Sequence, residues 1–381
     1  MKTLFKRNLK NVDIAVIFLV VIFLMLFTLT IYKKYKTNEI FVINKTVIVR
    51  GVILTKDKYY VASSDEIKLE ITNPYNVKYE VIFDNEDLIE KKDGKYYAKK
   101  NGETDFHIRL DDVNAYNGKI YIVKGLTVPK KSFDKSKDFV SCKDFTDEEN
   151  KLLDEALFDR INTSGKNTRA AAVAASRFLT LEFDKRIAYF YENGRLNNHE
   201  RKKVDGEGRY YHEGLYLSES KYKDLVVSWT GPGSWGCKIM QFEPAPQYGF
   251  KPLDKTPNGL DCSGFISWVL LNAGFDVKDT AAGDTARNDE LYDLGEKKRL
   301  TQQLLNSGLV KVGDLIAYSG HMAIISGIDE DGNYYVAESL PNFKGVVLNK
   351  YSQTSLKNTF THIMLMDSVY KEDGNLTNMW Y

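Results

Sequence analysis

The sequence predicts three parts in chain order: one transmembrane helix, an all-β sandwich, and a C-terminal α+β domain whose helix-borne cysteine packs on an antiparallel sheet. Three observations predict this. An uncharged apolar run fills residues 14–32, short β-like runs broken by turn residues fill 46–128, and helical and strand patterns mix from about 167 onward. At 381 residues the chain exceeds one ordinary domain and can build two cores. Its 53 Lys and Arg against 52 Asp and Glu leave a formal charge of +1, and no basic cluster alternates with aromatics, which argues against a nucleic-acid partner.

Ile14 to Tyr32 (IAVIFLVVIFLMLFTLTIY) carries no charge and has about the length a helix needs to cross a bilayer. Its apolar core exceeds the roughly 7 to 15 residues of a secretory signal. No small-x-small cleavage site precedes Lys33, so an uncleaved anchor is expected, with 1–13 as a tail and 33–45 as a linker. Lys2, Lys6, Arg7 and Lys10 before the span nearly balance Lys33, Lys34 and Lys36 after it, so flanking charge only weakly favours the N-terminus inside.

Over residues 46–128 the runs VIVRGVIL, KYYVA, IKLEI, KYEVIF, KYYAKK, DFHIRL and KIYIVKGLTV are separated by turn signals such as Asn73-Pro74 and Asp93-Gly94. Short strands at that spacing predict a sandwich. A strand, Asp93-Gly94, Tyr96-Tyr97-Ala98-Lys99-Lys100, Asn101-Gly102-Glu103-Thr104 and a further strand form a succession that resembles bacterial Ig-like domains of surface proteins. The resemblance implies a spacer between the bilayer and the C-terminal domain, with wall-polymer binding as the alternative.

Residues 129–166 are a charged linker and then a helix, which Thr146 and Glu149 open as a capping box ahead of Leu152, Leu153 and Leu157. An Ala-rich helix over about 168–182 (TRAAAVAASRFLTLE) opens the C-terminal domain, 167–381. The polar, aromatic segment 195–257 has Gly-rich breaks at DGEGR and GPGSWG and is expected to border a site. It leads into GLDCSGF, residues 259–265. Asn258-Gly259 is a turn signal, Asp261 can cap, and the run from Cys262 to Ala273 ends at Gly274, which puts Cys262 in the first turn of a buried helix. There, exposed N–H groups and the positive dipole end are expected to lower the thiol pKa, while Gly264 admits a substrate backbone.

A thiolate nucleophile needs an imidazole. Of the five histidines, His107, His199, His212, His321 and His362, His321 stands at the head of an apolar strand in GDLIAYSGHMAIISGIDEDGNYYVAES. A helix-borne cysteine followed by a strand-borne histidine resembles the layout of papain-like cysteine hydrolases, where the histidine takes the thiol proton and later protonates the leaving amine. DCSGF with Trp268, followed by GDLIAYSGHMAII, is similar to the NlpC/P60 cysteine peptidases, which cleave peptide bonds in bacterial wall peptidoglycan. The similarity covers about residues 167–366. It implies an α+β papain-like domain with Cys262 as nucleophile and His321 as base, Tyr189 near the reacting centre, and Asp261 and Ser263 beside the substrate.

The third member of that family's triad is often a histidine on the next strand, which here reads Tyr334-Tyr335-Val336-Ala337-Glu338-Ser339. The related CHAP domains use a glutamate after a similar Gly-His strand, which favours Glu338, with Asn342 in reserve. Register decides whether Glu338 can serve. A two-residue loop at Asp331-Gly332 pairs Ile325 with Glu338, about 13 Å along the strand from His321, whereas a loop of about 327–332 sets Glu338 opposite His321.

The other histidines lack metal-ligand spacing, no CxxC or HExxH occurs, and GEG at 206–208 falls short of a nucleotide fingerprint, so neither metal nor cofactor is expected. Cys142 and Cys237 are expected as two free thiols. The expected function is a membrane-anchored cell-wall hydrolase that cuts stem peptides by a Cys-His-Glu acyl-enzyme route. Its expected partners are peptidoglycan and, through residues 14–32, the lipid bilayer. Because that substrate lies outside the cell, the expected localisation is the cell membrane, single-pass, with the catalytic domain extracellular. The alternatives are an N-acetylmuramoyl-L-alanine amidase-type wall hydrolase and a catalytically silent wall-binding scaffold; intact Cys262 and His321 argue against the latter. A papain-like acyltransferase is disfavoured by chain order, because the permuted acyltransferases of this superfamily place histidine before cysteine.

Overall fold

The structure, a computed structural model, describes residues 41–43, 46–49, 52–110, 113–130, 135–191, 213–221, 233–240, 245–275 and 294–376. It divides into two compact units, the first taking the chain up to 59 and then 66–121, the second taking 60–65 and 122 onward.

Between residues 41 and 122, three small sheets form among the described residues. One has the order β1–β2–β3–β5, built from Phe41–Ile43, Thr46–Val49, Val52–Leu54 and Ile71–Thr72. A second has the order β4–β10–β9–β6, built from Lys58–Val61, Val113–Ile122, Gly102–Leu110 and Glu80–Phe83. The long strand β9 shows why it holds: Thr104, Phe106, Ile108 and Leu110 are buried while Glu103, Asp105 and Arg109 are exposed, a period of two with one face inward. The third sheet is the hairpin β7–β8, Ile89–Lys92 with Lys95–Ala98. Asp93 and Gly94 both have positive φ, as a two-residue loop that matches strand twist requires.

In the second unit, helix α1 (Asp147–Ser164) starts at Thr146, whose side chain and that of Glu149 make both bonds of a capping box. Helix α2 (Arg169–Arg177) is buried at every position and widens at its end into a π turn, Phe178–Glu182. The short pair β11 (Lys238–Met240) and β12 (Lys255–Pro257) precedes helix α3 (Cys262–Asn272). The main sheet has six strands in the order β13–β18–β14–β15–β16–β17, all antiparallel. They are Glu296–Arg299, His362–Leu365, Leu315–Tyr318, His321–Ile328, Tyr334–Leu340 and Gly345–Tyr351. One face carries Ile316, Ala323, Ile325, Val336 and Ile363, packed with Leu305 of α4 (Gln302–Leu305) and with Leu356 of α5 (Gln353–Thr359) and Phe360 just after it. Helices α2 and α3 pack on each other and on β15. Met322 and Ile324 are as fully buried as Ala323 and Ile325, so β15 is covered on both faces.

The expected fold class is corrected. Helix and strand are mixed over several small sheets, in place of the single sandwich and papain-like domain that the sequence predicts. In 41–122 the reason is strand length: β1, β3 and β5 run two or three residues, and β7 and β8 form a two-stranded ladder joined beyond itself by a single bridge from Tyr97 to Glu66. The transmembrane helix, and with it the single-pass membrane localisation, is corrected too. Among the described residues no helix is long and apolar enough to cross a membrane. The most apolar one, α3, has 11 residues, about 16 Å of helix against the roughly 30 Å of a bilayer core. The longest, α1, carries charge along its length. Residues 14–32 lie outside the described residues.

Candidate active site

The start of α3 is set by Asp261. Its carboxylate accepts the Gly264 N–H at 2.8 Å and the Ser263 hydroxyl at 3.2 Å, so the two residues expected beside the substrate form the helix cap. Cys262 follows as the first helical residue, only 5% exposed. Its Sγ donates to the Gly320 carbonyl at 3.8 Å, and the N–H groups of Met322, Ser263 and Cys262 itself lie against it. The sulfur therefore meets the backbone on both sides of His321.

Burial first, and the Asp261 carboxylate second, push the Cys262 thiol up to about 12. This corrects the expected depressed pKa. The three N–H groups and the helix end act in the expected direction, but desolvation of a sulfur sealed from water outweighs them. The resting group is a neutral thiol that donates to a carbonyl.

His321 and Glu338 face each other inside the protein, 3% and 1% exposed, with Nε2 to Oε2 at 2.7 Å. The second carboxylate oxygen of Glu338 accepts from Asn349 Nδ2 at 2.8 Å and from the Tyr351 hydroxyl at 3.0 Å. The Tyr318 ring lies tilted against the imidazole with centroids 4.8 Å apart, and Phe360 lies at 6.2 Å. With Nε2 committed to Glu338, Nδ1 is the remaining ring nitrogen. Glu338, rather than exposed Asn342 in the turn Pro341–Phe343, orients the ring.

Neither expected register occurs. β15 and β16 pair Ile328 with Tyr334 and Gly327 with Tyr335, then Ile325 with Val336 and Ile324 with Ala337. Ser326 is the extra residue, a β-bulge. Continuing the pairing nearest the turn would put Glu338 opposite Ile324, on the face away from His321. One unpaired residue moves Glu338 opposite Ala323, two places from His321 on the same face.

Tyr189 is 9% exposed, and burial, then Asp261 and Cys262, raise its hydroxyl above the usual tyrosine range, so it stands within electrostatic reach of the sulfur. Backbone contacts deliver it there. Its N–H donates to Lys344 O at 2.7 Å, the Leu260 N–H donates to Ala188 O at 2.9 Å, and a Cβ on Gly259 would collide with that same Ala188 carbonyl. Tyr248 and Phe250 pack their rings 6.3 and 6.1 Å from Tyr189, which brings part of the segment 195–257 to the site. Residues 195–212, 222–232 and 241–244 lie outside the described residues, His199 and His212 among them.

Sequence reasoning missed Tyr318, Asn349 and Tyr351. The available signal for the last two was the strand LNKY, where Asn349 and Tyr351 alternate onto the face of Glu338. Cys142 and Cys237 are a disulfide, with S–S 1.97 Å and Cα atoms 4.2 Å apart, which corrects the expected free thiols. Glu219 sits 3.6 and 3.7 Å from the two sulfurs, but bonded to each other they offer no thiolate to a metal. No family model, curated protein or solved structure matches the chain.

Chemically, the arrangement holds a thiol at a helix start, an imidazole hydrogen-bonded to a buried carboxylate, and N–H groups beside the sulfur, the kinds of group that acyl transfer to sulfur can use.

Proposed function

We propose that the chain is a cysteine hydrolase that cleaves amide bonds through an acyl-enzyme, with stem peptides of peptidoglycan as substrate. Cys262 Sγ attacks the carbonyl carbon as His321 Nδ1 takes its proton, and the N–H groups at the start of α3 meet the oxyanion. As the tetrahedral adduct collapses, the imidazolium gives its proton to the leaving amine, leaving a thioester on Cys262. A water that loses a proton to the same nitrogen then hydrolyses the thioester and restores the thiol. Glu338 holds Nε2–H throughout, so the ring never turns from the sulfur.

The observation that carries this reading is the buried His321–Glu338 bond, placed where the Cys262 sulfur touches the backbone flanking His321. The substrate class is supported by the likeness of DCSGF, Trp268 and GDLIAYSGHMAII to NlpC/P60 peptidases. Purified peptidoglycan incubated with the full chain should yield new peptide termini by mass spectrometry, and none with Cys262→Ala. Release of whole stem peptides from the glycan would instead identify an amidase, and the absence of products from both proteins would leave a silent scaffold.

A further inference from the structure

The Ser326 bulge sets Glu338 on the His321 face, and a bulge needs something to hold it. The extra residue leaves the ladder with backbone groups that no strand neighbour satisfies, and buried without partners these cost free energy. Ser326 is fully buried. Its carbonyl accepts from Arg177 at Nε, 2.9 Å, and also at Nη2. Its hydroxyl meets the Ser176 hydroxyl at 3.2 Å, and Ser176 in turn donates to Val173 O at 2.8 Å. Arg177 is 3% exposed and ends α2, where the helix gives way to the π turn. A guanidinium is costly to bury, and its planar fork converges here on one carbonyl oxygen, that of the single residue that shifts the register.

We propose that Arg177 is a positioning residue of this site: with Ser176 it pins the Ser326 bulge and thereby holds Glu338 in phase with His321. It touches neither the imidazole nor the carboxylate. Without it, β15 can relax toward a continuous ladder, and a slip of one residue carries Glu338 to the other face. The inference rests on the proposed roles of His321 and Glu338, but it concerns their geometry and can be measured without a substrate.

The test uses the full chain with histidine nitrogens labelled. A proton shared between His321 Nε2 and Glu338 resonates far downfield, and Glu338→Gln identifies the signal by moving it. In Arg177→Gln the signal is expected to be lost or shifted toward that of Glu338→Gln, with kcat on peptidoglycan down about 10-fold at unchanged KM, as for loss of a group that supports a catalytic residue. Arg177→Lys, which keeps a charged donor for the carbonyl, should recover both signal and rate in part. In the Glu338→Gln background, Arg177→Gln should cost no further activity, because its effect runs through Glu338.

A folded Arg177→Gln protein that keeps the downfield proton and wild-type kcat overturns the inference and leaves the hydrolase reading untouched. A wild-type protein without activity, whose proton still responds to Arg177→Gln, sinks the hydrolase reading and leaves the positioning role standing. Should Arg177→Gln not fold, the proton is read in Ser176→Ala, which removes only the hydroxyl contact to the bulge. A shifted signal there supports the role and an unmoved one overturns it.

Discussion

At the scale of single residues, the neutral thiol of Cys262 constrains the proposed mechanism. A sulfur held up to about 12 by burial does not rest as a thiolate, so the proposed hydrolase requires that its proton pass to His321 as a substrate displaces the Gly320 carbonyl contact. Alkylation by iodoacetamide should therefore be slow at neutral pH and keep rising past pH 9, where an ordinary thiol levels off, toward 12. A plateau near pH 7 would instead show a resting ion pair with His321. The same group affects stability. Between pH 9 and 12 the unfolded chain releases this proton and the folded one keeps it, so the thiol alone lowers stability across that window by up to about 4 kcal/mol, on top of the loss from buried tyrosines such as Tyr189, and Cys262→Ala should remove only the thiol's share. Much of this site was legible in the sequence, because Asp261, Cys262 and the terminating Gly274 fall in one contiguous run, as do Ser319, Gly320 and His321. The sign of the thiol shift was not, because it depends on how tightly other segments close over the sulfur.

Among the elements, the contrast between α3 and the β15–β16 pair shows where pattern reading runs out. A cap, an apolar run and a stop residue mark a helix locally, whereas one unpaired serine in SGI looks like any other strand residue, so Glu338 could be named but not placed. Helix α2 was visible as an Ala-rich run, yet nothing in TRAAAVAASRFLTLE shows that both its arginines point inward. Arg169, at its start, is 1% exposed and donates to Asp314 at 2.8 Å, to Asp373 at 3.0 Å and to the Val312 carbonyl at 3.0 Å. Asp314 is equally buried and also accepts the Met366 N–H at 3.0 Å. Arg169→Met leaves that carboxylate inside without its cation, and a loss of about 3 to 5 kcal/mol is expected in urea unfolding. A loss under 1 kcal/mol would mean that water reaches Asp314 in the variant.

For the whole molecule, the Cys142–Cys237 bridge ties residues 95 apart in sequence, a proximity that no local pattern reveals. Its reduction should lower unfolding stability by about 2 to 5 kcal/mol. Thiol titration of the unfolded, unreduced chain should find one reactive cysteine of three, Cys262, and a count of three would refute the bridge. The sheet order β13–β18–β14–β15–β16–β17 has a further consequence, one of timing. A ribosome making this chain releases β13 and β14 before the strand that will lie between them exists. The run from β14 to β17 is a simple meander, so His321, Glu338, Asn349 and Tyr351 can meet while β18 is still being synthesised. Until then the outer edge of β14 stands open to any passing strand, including the same edge of a neighbouring nascent chain.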